Sequence, residues 1–234
     1  MVDPSPPIDT DPADTASPDA GSADPASADP GTAFGTIPFA DAKAALRRTY
    51  RQARAEHVET LPAGLRALML SRPPAPLVEM MPEGMAVGIY HPSGSEASTL
   101  GWARWLAENG RRVALPWFAS RGAPMEFRIW DNPWDEDLLK PGPWRALQPL
   151  RSSETVIPGL VVVPLLAFTG DGHRLGQGGG HYDRWLAAHP QVPAIGLAWD
   201  CQVAEDLPVE PHDRALAAVV TPTRIYEAQP LERT

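Results

Sequence analysis

The sequence predicts an α/β fold, a three-layer α/β/α sandwich around a mainly parallel central sheet. Three observations lead there. Short apolar runs rich in Val, Ile, Leu and Ala recur at residues 85–90, 112–115, 159–168, 193–198 and 216–221, as strands buried on both faces do. Stretches at 39–57, 99–109 and 182–189, free of proline and, apart from Gly101, of glycine, alternate with them and read as helices. The unit from 85 to 115 runs strand, polar turn, helix, strand, which suits a parallel pair joined by a right-handed crossover.

Taken in order, residues 39–57 are Ala-rich, with Leu46, Tyr50 and Ala53 on one side and Asp41 as a possible N-cap. Lys43, Arg47, Arg51 and Arg54 follow at helical spacing and share a face. By itself such a stripe reads as a solvated basic face. Residues 61–70 suggest a second helix and 72–76 a proline-rich loop. The strand at 85–90 leads into the polar turn from His91 to Glu96. The helix at 99–109 buries Leu100, Ala103 and Leu106 and ends at Gly110. Residues 125–130 alternate Phe127 and Ile129 with Glu126 and Arg128, a half-buried strand. Residues 132–153 are loop-rich, and Trp134 and Trp144 within them are expected to seal a core edge. A continuous strand at 159–168, a helix at 182–189, a strand at 193–198, a short helix at 199–203 and a final strand at 216–221 complete the reading.

The stretch Arg174-Leu175-Gly176-Gln177-Gly178-Gly179-Gly180-His181-Tyr182-Asp183-Arg184 stands out, with four glycines in five residues ahead of a helix. Unpaired N–H groups and the positive end of a helix dipole favour an anion there. Bare glycine also lets a phosphate approach the main chain. The spacing is neither a Rossmann fingerprint nor a P-loop, because no glycine stands at position 181 and no Lys-Ser/Thr pair follows the last glycine.

Composition narrows the function further. Residues 1–38 hold seven Asp, eight Pro and no Lys or Arg, a composition that cannot bury enough apolar surface to fold. They are expected to be a disordered acidic tail, and without a basic n-region or a long apolar run they do not read as a secretory signal. Residues 39–234 are expected to form one domain. The tail supplies most of the formal net charge of −9, leaving 20 basic against 22 acidic residues in the body. A near-neutral body speaks against a nucleic-acid surface. No apolar run approaches the roughly 18 residues of a membrane span. The single cysteine, Cys201, forbids an internal disulfide and fits a reducing cytoplasm. The chain is expected to be a cytoplasmic monomer acting on small molecules.

The glycine stretch, following a strand that ends Pro164-Leu-Leu-Ala-Phe168, resembles the 5-formyltetrahydrofolate cyclo-ligase family, also called methenyltetrahydrofolate synthetases. Lys43-Ala-Ala-Leu46-Arg47 matches the family's Lys-x-x-Leu-Arg, and Glu210-Pro-His-Asp213 its Glu-x-His-Asp. The resemblance spans about residues 41–226 and is thin between 117 and 153. It implies ATP-dependent cyclisation of 5-formyltetrahydrofolate to 5,10-methenyltetrahydrofolate, with ATP as co-substrate and Mg2+ as cofactor. It further implies that Lys43, Arg47, Gly176, Gln177, Gly178, Gly179, Gly180, His181 and Tyr182 meet ATP. Arg47, Glu96, Gly179 and Tyr182 meet the folate, with His91 a candidate on the substrate side of the pocket rim; Arg174, a phosphate or carboxylate clamp, and Tyr182 act at the reacting groups, and Asp183 and Asp213 hold Mg2+. The residue types suit these roles: hard carboxylate oxygens for Mg2+, cations for phosphate, and a carboxylate for the paired N–H donors of a pterin edge.

The chain departs from the family pattern at Gln177, where Arg is common, at His181, where Tyr is common, at Trp117, which follows Leu-Pro where Arg is usual, and at Ala217, often Asp. His181 restores the charge missing at 177 only when protonated. An aromatic at 117–118 could wall a planar ligand. Two other readings stay open: a member that binds folate or nucleotide without turnover, and an enzyme of similar architecture acting on sugar phosphates or CoA esters with Glu96 as base or nucleophile.

Overall fold

A computed structural model describes residues 39–210 and 213–228. The acidic tail lies outside the described residues, as do Pro211 and His212.

The chain enters through α1 (Phe39–Thr60), α2 (Ala63–Met69) and α3 (Ala75–Glu79). Helix α3 replaces the expected loop: Pro74 provides the fixed φ from which Ala75 and Pro76 start a helical turn. Then come β1 (Ala86–Gly88), α4 (Leu100–Glu108), β2 (Arg112–Trp117) and β3 (Glu126–Ile129). A two-stranded hairpin of β4 (Lys140–Pro141) and β5 (Leu147–Gln148) interrupts the loop-rich stretch. The chain continues through β6 (Thr155–Val156), β7 (Leu160–Val163), β8 (Ala167–Phe168), β9 (Arg174–Leu175), α5 (His181–Ala188), β10 (Ala194–Leu197), β11 (Ala218–Val220) and β12 (Ile225–Glu227).

Eight strands form the main sheet in the order β12-β11-β10-β7-β1-β2-β3-β6. The five from β11 to β2 are parallel, and β3, β6 and β12 add antiparallel edges. This is the mainly parallel α/β architecture expected. One expected strand is broken: residues 159–168 split at Pro164, which cannot donate to a ladder. The second part, β8, turns away to pair with β9. The last expected strand is also followed by β12, which folds back along it.

Period-two alternation sorts the strand side chains onto two faces. Val87, Val113, Leu115, Leu160, Val162, Ile195, Leu197 and Val220 pack with Val58, Leu77, Trp102 and Leu106 of the helices on one side. Ala114, Val161, Val163, Ala194 and Val219 pack with Trp185 and Leu186 of α5 on the other. Fully burying a Leu, Ile or Val of this kind stabilises by about 1.5–3 kcal/mol. In α4 the expected Ala103 and Leu106 are buried, Trp102 is fully buried beside them, and Leu100 is only half-buried. Gly110, at φ +73, closes α4: the Arg111 N–H bonds the Leu106 carbonyl across it at 2.9 Å.

Sheet order also places the site. The chain leaves β1 toward β2, β3 and β6, then returns beside β1 as β7 and moves off the other way to β10. Strand order therefore reverses between β1 and β7, where an open α/β sheet leaves a crevice beyond its carboxyl ends.

Candidate active site

The segments following β1 and β7 do line a cleft, of about 560 Å3. Every candidate site residue named from the sequence borders it: Lys43 and Arg47 from α1, His91 and Glu96 from the turn after β1, Arg174 from β9, Gly176 to Gly180, His181, Tyr182 and Asp183 at the start of α5, and Asp213. No two of these segments need be close in sequence; sheet topology gathers them.

The basic face of α1 turns inward. Lys43 and Arg54 are 8% and 4% exposed, so the solvated reading of this stripe fails at those two positions. Burial alone would pull the Lys43 ammonium down, but its hydrogen bonds to Asp213 and Glu210, each 2.7 Å, more than offset that and hold it above its usual value. The carboxylates that make this burial possible lie some 170 residues away, which is why helical periodicity alone misjudges the face. Arg47 Nε donates to the Gly176 carbonyl at 3.1 Å, tying α1 to the glycine loop. Arg51 stays exposed and donates to Gln177 Oε1 at 3.0 Å.

Two loop glycines need their conformational freedom. Gly178 at φ +104 and Gly180 at φ +62 lie in the left-handed half of backbone space, where a side chain is strained. Gly180 is the residue from which α5 begins. Arg184, one turn into α5, donates to the Gly179 carbonyl at 2.8 Å and to His181 Nδ1 at 3.1 Å. A guanidinium has no acceptor, so His181 Nδ1 must be the unprotonated nitrogen. Burial, together with the Arg184 charge, pushes the His181 pKa below its usual value. The ring is therefore neutral at pH 7 and does not replace the positive charge missing at Gln177.

Arg174, with its side chain 5% exposed, ion-pairs with Asp183 through Oδ1 and donates to the Arg214 carbonyl at 2.7 Å. Burial lowers its pKa, against the combined pull of Asp183 and Asp213. Burial, with Glu96 adding to it, keeps the Tyr182 hydroxyl protonated far beyond the usual range. Glu96 accepts from the Ser93 N–H at 2.9 Å and from Gln177 Nε2 at 3.4 Å. Burial pushes its pKa up, and the Ser93 bond, Arg54 and Gln177 partly reverse that. His91 lines the rim with Nε2 3.4 Å from Glu136.

Sequence reasoning missed part of the opposite wall. Trp144 was expected to seal a core edge; it is 41% exposed at the tip of the β4–β5 hairpin and borders the cleft. Trp134, 53% exposed, seals nothing either. The Trp144 ring lies 4.7 Å from Phe118 and 4.6 Å from His181, centroid to centroid. Gln148 fixes the hairpin by accepting from the Phe118 N–H and donating to the Phe118 carbonyl, at 3.1 and 3.2 Å. Of the two aromatics weighed after Leu-Pro, Phe118 walls the cleft, whereas Trp117 is buried under the Arg128 guanidinium at 4.0 Å. Glu210, quoted only as part of a motif, is a partner of Lys43. The turn residues Pro141-Gly142-Pro143 ahead of Trp144 were the available signal of a hairpin tip.

A model of the 5-formyltetrahydrofolate cyclo-ligase family matches residues 40–222. The chain belongs to that family. Among its relatives, the 5-formyltetrahydrofolate cyclo-ligase of Escherichia coli K12 is 49% identical over 70 residues, 29% of this chain and 38% of that protein. The match thus spans well under half of the length of that relative. The Mycolicibacterium smegmatis 5-formyltetrahydrofolate cyclo-ligase is 33% identical over 153 residues, 60% of this chain and 75% of that protein. In fold, the chain resembles the NMR structure of the Aquifex aeolicus 5,10-methenyltetrahydrofolate synthetase, with a TM-score of 0.65 at 23% identity over 82% of this chain and 95% of that one. Among the described residues no helix is long and apolar enough to cross a membrane.

Proposed function

We propose that the cleft binds ATP and 5-formyltetrahydrofolate together and closes the folate to 5,10-methenyltetrahydrofolate. The observation carrying this is the convergence of a phosphate-type wall and a pterin-type carboxylate in one cleft of a cyclo-ligase family member. The formyl oxygen attacks the γ-phosphorus and ADP leaves. N10 of the same folate then attacks the activated formyl carbon, losing its proton, and phosphate departs with the formyl oxygen. The amide oxygen is a poor leaving group until phosphorylated, so the protein's task is positioning and charge neutralisation.

The residues divide by chemistry. Main-chain N–H groups of the Gly176–Gly180 loop and the first turn of α5 suit phosphate oxygens. Lys43 and Arg47 add cations, and an incoming phosphate competes with Glu210 and Asp213 for the Lys43 ammonium. Glu96 accepts N–H donors from the pterin edge, and Phe118, Trp144 and His181 cover its ring. Tyr182, held protonated, donates from its hydroxyl, and His91 borders the folate side.

The acidic groups fit a magnesium ion arriving on the nucleotide. Asp183, Glu210 and Asp213 put carboxylate oxygens at the cleft beside two buried cations, Lys43 and Arg174. Among the described residues no cluster of three or more ligating side chains could hold a metal alone. One or two carboxylates suffice for a Mg2+ that keeps its waters and phosphates. Asp183 and Asp213 would hold it, and it would supply charge neutralisation at the phosphates.

The test is the full chain with ATP, Mg2+ and 5-formyltetrahydrofolate, followed by methenyl absorbance. Steady ATP-dependent turnover supports the reading. Ligand-induced thermal stabilisation without turnover supports instead a binding-only member, the reading that Gln177 and the neutral His181 favour.

A further inference from the structure

Arg54 lies outside the cleft lining, and no step of the reaction uses it. At this depth on α1 an uncompensated guanidinium is costly, so its partners carry meaning. Arg54 Nε donates to Ser95 Oγ at 3.1 Å and Nη1 to the Leu165 carbonyl at 3.2 Å. Ser95 directly precedes Glu96, and Leu165 follows β7 by two residues. One side chain thus joins α1, the turn that carries Glu96, and the end of the central sheet. Of the charges acting on Arg54, Glu96 contributes the largest attraction.

Glu96 needs that help. It is half-buried, with Gln177 from the glycine loop, Tyr90 beyond β1, Tyr182 from α5 and Arg54 from α1 acting on it; Arg51 reaches only as far as the Gln177 amide. Burial holds both tyrosines protonated, so neither supplies charge. Burial likewise favours the protonated carboxyl of Glu96, which would offer a ligand an O–H in place of a second acceptor.

We infer that Arg54 is a positioning residue for Glu96: through Ser95 it sets the turn, and through its charge it keeps the Glu96 carboxylate ionised and receptive to ligand N–H groups. This rests on the reading of Glu96 as the folate acceptor, and its test separates the two. In full-length protein carrying 13C-carboxyl glutamate, with E96Q to assign the resonance, Glu96 is titrated in the wild type, R54Q and R54K. R54Q removes the charge but can still hydrogen-bond, and it should raise the Glu96 midpoint by about one pH unit or more. R54K retains the charge and should leave the midpoint near that of the wild type. In turnover, R54Q should raise the KM for the folate more at pH 6 than at pH 8, with the KM for ATP within about twofold. An unchanged midpoint in R54Q, or an equal rise in R54K, overturns the inference. Absence of turnover in the wild type overturns the reaction reading and leaves the midpoint comparison intact.

Discussion

The two walls of the cleft are built on different physics. The polar wall is a set of cations drawn inward and held by the protein's own acceptors: Lys43 between Glu210 and Asp213, Arg174 on Asp183, and Arg47 on the Gly176 carbonyl. The aromatic wall is a meeting of rings at the surface, Phe118, Trp144 and His181, held by a hairpin of two-residue strands and one bidentate glutamine. Removing Lys43 from the first leaves two carboxylates, Glu210 and Asp213, facing each other. Removing a member of the second leaves a gap that solvent fills. Folding and function should therefore be coupled on one wall and separable on the other.

The largest effect is expected at Lys43. K43M leaves Glu210 and Asp213 without their shared cation, and we expect a loss of about 2–3 kcal/mol of stability in urea unfolding. ATP-dependent turnover should fall by at least about 100-fold in the same variant. A K43M protein as stable as the wild type would mean that the Lys43 trio contributes nothing, and the contrast between the walls would disappear.

W144A should behave the other way. The exposed ring contributes little to folding, so the unfolding midpoint should barely move, by about 0.5 kcal/mol at most. The KM for the folate should rise about three- to tenfold, the effect of losing one aromatic contact of about 0.5–1.5 kcal/mol. A large loss of stability with unchanged KM would return Trp144 to the core-edge role its sequence context suggested.

The same contrast explains what could be read from the residue string. The parallel centre was legible because its strands are local apolar runs and its turns are marked by Gly and Pro. The glycine loop was legible because its character is its lack of side chains. The depth of Lys43 was not, since it is decided by Glu210 and Asp213 far along the chain. Nor was the place of Trp144, which depends on Gln148 gripping the Phe118 backbone across 30 residues and on Arg145 accepting a left-handed φ of 64° in the hairpin turn. Helix α3 and the break at Pro164 share a cause: each turns on which backbone groups a proline removes from a ladder or presets for a helix, and a run of apolar residues does not reveal it.

The smallest expected effect lies where the walls touch. His181 belongs to the aromatic wall by its ring contacts and to the polar wall by its bond from Arg184. Its folded-state pKa is depressed, so the native protein binds this proton less readily than the unfolded chain. The neutral ring's contribution to stability is therefore fully present above the ordinary histidine value of about 6.5, and it is lost as pH falls through the lower native value. H181F has no such proton. The wild type should accordingly lose urea resistance relative to H181F between about pH 7 and pH 5, while at pH 8 turnover of the two agrees within about threefold, since the phenyl ring keeps the stacking surface. A stability difference that stays flat across this range would show that protonation at position 181 is unopposed, and that Arg184 does not hold the ring in its neutral form.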